Sequence, residues 1–436
     1  MKKKVLPVIF IIAIIILIGI IYVGQQFVQK FSYSNDIADF SSYFGVTSSE
    51  DIPIVLGTEK LEVFARNTDG VYYMDFNNVQ TYLNDRFYCG TEDGILVYTT
   101  PTEIISSVIG TNSYTVNGAD EQSLEYTISY YDGDILYVAL PYVQKYTDFT
   151  FEGFDSPSYV YIVNAWNEQT QATVNKDTKL RIKGGVKSEI LESVEAEETV
   201  IVLEEMETWT KVETARGLIG YIENKRLDNI QTVTPTHEAV YVEPEYTSLT
   251  RDYKINMGFN AIGGEGGNDS MESLVAATKS LNVISPTWYA LSDNLGNIRS
   301  YASSDYVTKA HALGLEVWAL VDNFTGPEGV STQEILSHAS SRQTLITNLI
   351  DQAGTYGFDG INIDFESIDS SYAQSYIEFI REISIACRAN GLVLSIDNYV
   401  PMNFNDFYDL EEQGTVADYV VIMGYDEHYA GSEEAG

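Results

Sequence analysis

Residues 358–366 read FDGINIDFE, and two carboxylates stand near its end, Asp364 and Glu366. On a β-strand side chains alternate, so Asn362, Asp364 and Glu366 share one face while Ile361, Ile363 and Phe365 share the other. Two acids spaced this way have Cα atoms about 6.6 Å apart, close enough for their charges to repel. In a partly dry pocket one of them then keeps its proton, which is what a general acid needs near neutral pH. Other polar residues close apolar runs in the same way: Asp322 with Asn323, Asp397 with Asn398, and Tyr425 with Asp426. Asp322, Asn323, Asp397 and Asn398 either line the same cleft or are ordinary loop polarity. Trp288 either stacks on a ligand or packs in the core.

The elements that would carry these residues are visible in the apolar pattern. Strand-like runs occur at 255–259, 283–288, 315–321, 358–365, 392–396 and 419–423, and helical patterns lie between them. Leu345, Ile346, Leu349, Ile350 and Ala353 form one helical stripe; Tyr372, Tyr376, Phe379, Ile380, Ile383 and Cys387 form another. Alternation of strand and helix predicts a parallel sheet, and six units in a row favour a barrel. Functional residues of such a barrel sit at the C-terminal ends of its strands, where FDGINIDFE places its acids. A complete barrel needs eight strands and about 250 residues. Residues 253–436 therefore read as a (β/α)8 TIM barrel truncated after strand six.

Upstream, the chain begins with Lys2, Lys3 and Lys4, followed by an uncharged apolar run over 5–23. That length suits a membrane span, the lysines set it with the N-terminus in the cytoplasm, and no small-x-small cleavage site follows at Gly24, Gln25 and Gln26. The expectation is a single-pass membrane anchor over 1–30 with everything beyond it extracytoplasmic. Residues 31–50 are Ser-rich and read as a stalk. From 51 to 165 the text is rich in Tyr, Val and Ile, with turn pairs at Asp69-Gly70, Asp93-Gly94, Asn117-Gly118 and Asp132-Gly133. A second β-rich pattern spans 171–228, and 229–252, with Pro235 and Pro244, reads as a linker.

Composition narrows the partners. Against 25 Lys plus Arg stand 63 Asp plus Glu, a formal charge of −38 that would repel nucleic acid and anionic lipid surfaces. Cys89 and Cys387 are the only cysteines and suggest no disulfide framework. His237, His311, His338 and His428 are scattered without metal-ligand spacing. No metal and no cofactor is expected, and nothing in the composition fixes an oligomeric state.

Several motifs resemble known families. DGINIDFE resembles the DGxDxDxE signature of family 18 glycoside hydrolases, the chitinase-like TIM barrels, and MGYD at 423–426 resembles that family's Met-x-Tyr-Asp. LNVISPTWY at 281–289 and EVWALVDNF at 316–324 are similar to its spore- and wall-lytic branch. The middle Asp of the signature is Asn362 here. Asn cannot share a proton with Asp364, although it can still orient its neighbour. The resemblance implies Glu366 as proton donor and Asp364 and Tyr425 as partners of the substrate's acetamido group. Asn362 and Asp426 join them as candidate substrate-binding residues, as do Asp322, Asn323, Asp397 and Asn398 by their strand-end placement and Trp288 by its type. The resemblance implies a substrate-assisted reaction on an N-acetylated sugar polymer, an exception to the two-carboxylate scheme. For an exported chain peptidoglycan is the expected polymer, with chitin hydrolysis or lectin-like wall binding as alternatives. Residues 171–228 resemble a bacterial SH3 module through Leu180-Arg181, WTKV at 209–212 and GLIGYI at 217–222. Residues 51–165 resemble the α+β module named after the N-terminal domain of copper amine oxidases. The combined expectation is a multidomain chain: transmembrane helix, α+β module, small SH3-like β-barrel and incomplete TIM barrel.

Overall fold

The computed structural model describes residues 5–424. The chain divides into two compact units, one of residues 1–78 with 139–242 and the other of 79–138 with 243–436.

In the first unit the apolar N-terminal run forms one helix, Val5–Phe31. Its stretch Ile9–Phe31 is long and apolar enough to cross a membrane, a property that a signal sequence shares. The segment expected to be a stalk is ordered instead. Ala38 donates its N–H to the Ile190 carbonyl and Ile190 donates to that of Asp36, both at 2.8 Å, and Asp39 caps the short helix Phe40–Phe44. Phe44 then packs on Tyr159 at 5.2 Å between ring centroids, so apolar side chains among the serines hold this segment down. Strands Thr150–Asp155, Ser158–Val163, Ile52–Leu56, Glu59–Thr68 and Val71–Asp75 lie side by side in that order. A second sheet orders Ile190–Val194, Thr178–Arg181, Ile219–Glu223, Trp209–Glu213, Thr199–Glu205, Gln169–Val174 and Leu227–Val233. Its last strand runs to Val233, into the expected linker.

The second unit contains the barrel segment. Six parallel strands follow one another across the sheet in chain order: β1 (Met257–Asn260), β2 (Val283–Pro286), β3 (Glu316–Asp322), β4 (Gly360–Asp364), β5 (Val393–Asn398) and β6 (Tyr419–Ile422). Helices α1 (Met271–Ala276), α2 (Ser304–Ala312), α3 (Thr332–Ser337), α4 (Ala339–Tyr356), α5 (Ala373–Asn390) and α6 (Leu410–Val416) lie between them. This is a partly curled parallel sheet. Both predicted helical stripes are buried: Leu345, Ile346, Leu349 and Ala353 on α4, and Tyr376, Phe379, Ile380, Ile383 and Cys387 on α5. The two helices end in left-handed glycines, Gly357 at φ 76° and Gly391 at φ 68°. They pack on the apolar face of β4, where Ile361 and Ile363 are fully buried and Phe365 stacks on Phe379 at 5.6 Å.

The second unit also holds residues 79–138. Strands Tyr88–Gly90, Ile95–Thr99, Ile104–Val108, Ser113–Val116 and Gln122–Ser123 form an antiparallel meander. The meander is bonded to α5: the Tyr88 and Ser375 hydroxyls lie 2.9 Å apart, and the Thr99 hydroxyl donates to buried Glu378. Such buried polar pairs fix register and hold the meander on the helix.

Candidate active site

The polar face of β4 is built from the strand's start upward. Asp359, first acid of the motif, accepts at Oδ2 from the Val317 N–H and is 2.8 Å from His311 Nε2, which ties β4 to β3 and α2. At Gly360 a Cβ would lie 2.8 Å from the Val393 carbonyl oxygen and 2.9 Å from the Trp318 ring, so the strands close up only over glycine. Two residues on, Asn362 is level with Leu320 on β3 and Ser395 on β5. It is fully buried; its Nδ2 donates to Asp397 Oδ2 at 2.7 Å and its Oδ1 accepts from the Ser395 hydroxyl. Asn362 therefore bonds within the sheet, below the mouth.

Asp364 closes the strand in register with Asp322 on β3. Its carboxyl is pushed up to about 7, first by burial and then by the charges of Glu366 and Asp322. Asp397 is also pushed up to about 7, by burial first and by the charges of Asp364 and Glu366, against the lowering effect of its bond from Asn362.

Glu366 lies just past the strand end, half-buried. Its main chain is clamped on both sides by one amide: Asn323 Oδ1 accepts from the Glu366 N–H and Asn323 Nδ2 donates to the Glu366 carbonyl, each at 2.9 Å. The chain then turns at Ser367, a left-handed residue at φ 55°. Tyr399 donates its hydroxyl to Glu366 Oε2 at 2.8 Å and accepts from the Ser367 N–H at 3.2 Å. Burial, and then that bond to Glu366, push the Tyr399 phenol up to about 12. A cavity of about 260 Å³ adjoins Tyr399 and is also lined by Asn398, Asn405, Tyr408 and Glu411.

The structure thus gathers Asp364, Glu366, Asn323 and Asp397 around one strand end. The other predicted residues are placed differently. Asp322 is 2% exposed and spends its carboxylate on the Phe324 and Thr325 N–H groups and the Thr325 hydroxyl, capping its own loop. Asn398 is locked in an amide pair with Gln413, at 2.7 and 3.2 Å. Trp288 is a core residue rather than a sugar platform: it is fully buried, donates Nε1–H to Asn268 at 2.8 Å and packs edge-on against Tyr306 at 5.1 Å. Tyr425 and Asp426 lie outside the described residues. Tyr399 escaped the sequence reading, although it stands directly after Asp397-Asn398 at a strand end, where the same placement rule applies.

Comparison with known proteins bears on this strand end. Over 124 residues the chain is 34% identical to the sporulation-specific glycosylase candidate YdhD of Bacillus subtilis (strain 168), covering 26% of this chain and 29% of that protein. Over 102 residues it is 33% identical to the cortical fragment-lytic enzyme of Bacillus anthracis, covering 22% of this chain and 23% of that one. The chain thus spans less than a third of the length of these two relatives. The crystal structure of the Bacillus cereus spore cortex-lytic enzyme SleL aligns with 22% identity and a TM-score of 0.35, covering 47% of this chain and 48% of that one. Residues 325–436, which hold Asp364, Glu366, Asp397 and Tyr399, match the model of the glycosyl hydrolases family 18, a family of glycosidases.

Proposed function

We propose that this chain is a membrane-anchored, extracytoplasmic glycoside hydrolase that cleaves an N-acetylated cell-wall polymer, peptidoglycan. The observation that carries the reading is the pairing at the end of β4. Burial and the charges of Glu366 and Asp322 push the Asp364 carboxyl up to about 7, and Glu366 lies two residues beyond it, fixed by Asn323 and Tyr399. In the family's substrate-assisted scheme Glu366 gives its proton to the glycosidic oxygen while the acetamido oxygen of the sugar attacks its own anomeric carbon. Asp364 orients the acetamido N–H and offsets the positive charge that develops on the ring. Tyr425 and Asp426 take their roles on the acetamido group and the sugar from the Met-x-Tyr-Asp resemblance.

Two further features support the location and polymer. The N-terminal lysines and the helix Val5–Phe31 suit an anchor with the barrel outside the cell. The cortical fragment-lytic relative acts, by its name, on cortical fragments, which we read as wall polymer, and the sheet over 169–233 suits an SH3-like grip on the wall. The test is reducing-end release from purified peptidoglycan by the full chain and by Glu366→Gln. The variant is expected to lose at least a thousandfold in rate; equal release by the two proteins rejects the assignment.

A further inference from the structure

We infer that Asp397 is the proton-holding partner of Asp364, so that these two carboxyl groups, on neighbouring strands, carry one proton between them when the site is ready to react. The catalytic consequence rests on the glycosidase reading above; the sharing of the proton does not.

The geometry starts from strand register. Asp322 on β3 is paired with Asp364 on β4, and Ile363 on β4 with Ile396 on β5. Continuing that register by one residue sets Asp397 beside Asp364. Three aspartates therefore occupy one level on three adjacent strands, which run about 4.8 Å apart. Their hydrogen bonding differs. Asp322 has donors for both oxygens. Asp397 has one, the Asn362 amide on Oδ2. Oδ1 of Asp397 and Oδ1 of Asp364 are buried and have no hydrogen-bond partner among the described residues.

Two orphaned carboxylate oxygens on one buried row form a costly arrangement when both groups are ionised. A single proton removes one of the two charges and turns one orphan acceptor into a donor. Asn362 cannot hold that proton, and its orientation is set: the Ser395 hydroxyl occupies its Oδ1, which leaves Nδ2 aimed at Asp397. Among the described residues the groups facing the pair are Asp322 from β3, Glu366 from the segment after β4, and Tyr376 from α5, whose buried hydroxyl likewise has no hydrogen-bond partner there. Among the described residues none of these is a cation, and a proton is the means of neutralisation they leave.

In the resting site the proton rests on Asp364. As positive charge grows on the sugar, Asp364–COOH and Asp397–COO⁻ become Asp364–COO⁻ and Asp397–COOH. One proton moves from one carboxyl group to the other, the pair keeps its total charge of minus one, and the carboxylate appears next to the charge it must offset. Asp397 is thus a positioning residue that acts through Asp364.

The test reads protonation directly and needs no turnover. In the full chain carrying Glu366→Gln and ¹³C-carboxyl-labelled aspartate, NMR titration follows Asp364, assigned by its loss in Asp364→Asn. Adding Asp397→Asn is expected to lower the Asp364 midpoint by at least one pH unit, a tenfold change in its acidity. Coupling is reciprocal, so Asp364→Asn lowers the Asp397 midpoint equally and serves if the first variant does not fold. Midpoints that stay within 0.3 unit in both variants overturn the proposal. A reactive Glu366→Gln protein alongside shifted midpoints would reject the glycosidase assignment and leave the shared proton standing.

Discussion

The Tyr399 hydroxyl, 2.8 Å from Oε2 of Glu366, also accepts from the Ser367 N–H. One phenol thereby links the carboxyl group of the candidate acid to the backbone turn that follows it. Asn323 fixes the Glu366 main chain from β3, and Tyr399 fixes its side chain from the end of β5.

Replacing Tyr399 by Phe keeps the ring and removes only this link. A single hydrogen bond of this kind contributes roughly 1 to 1.5 kcal/mol, or about tenfold in rate. Tyr399→Phe is therefore expected to lower kcat on peptidoglycan about tenfold while KM and the circular dichroism spectrum stay as in the parent. An unchanged kcat would mean that Glu366 is held well enough by Asn323 alone.

The aromatic contacts to a polymer are expected away from Trp288. Phe324 follows β3 and Phe404 lies in the segment after β5, and they are 56% and 80% exposed. Both follow the C-terminal ends of strands, on the same side of the sheet as Glu366. A face-on aromatic contact is worth about 1 kcal/mol, so Phe404→Ala should raise KM on long glycan strands about fivefold and leave kcat alone. Steady-state kinetics on strands of two lengths checks this. A fall in kcat without a change in KM would place Phe404 in the chemistry and not in polymer binding.

The legible part of the site was the part written in one strand. Period-two alternation separates Asn362, Asp364 and Glu366 from Ile361, Ile363 and Phe365, and the apolar three are buried as it requires, although Asn362 on the polar side is buried too. Register between strands is not written in any one of them. Nothing in the residues near 397 says that Asp397 meets the amide of Asn362, 35 positions earlier. Trp288 was ambiguous for a related reason: it lies between the end of β2 at Pro286 and a separate strand at Tyr289–Leu291, and its own type does not say whether the indole is buried, as it is, or exposed. The packing of the meander on α5 was hidden because its bonds to Ser375 and Glu378 span 287 and 279 residues. Short hairpins bounded by Asp-Gly and Asn-Gly are readable; the helix they pack on is not.

Behind β4, α4 and α5 are tied together by a buried ion pair. Arg342 donates through Nε and a terminal nitrogen to the two oxygens of Glu382, at 3.0 and 2.8 Å, and through its other terminal nitrogen to the Leu336 carbonyl at 2.7 Å. Arg342 is fully buried and Glu382 is 5% exposed, so neither can turn to water when its partner is lost. Arg342→Leu leaves a buried carboxylate without its counter-charge and should cost about 3 to 5 kcal/mol of stability. The double variant Arg342→Leu, Glu382→Leu removes both charges and fills the space with apolar atoms, and it is expected to recover most of that loss. Urea unfolding of the three proteins measures both differences. If the double variant is as unstable as the single one, the cost lies in what else Arg342 holds, the Leu336 carbonyl and the Tyr88 ring 5.2 Å from its guanidinium, rather than in the stranded charge.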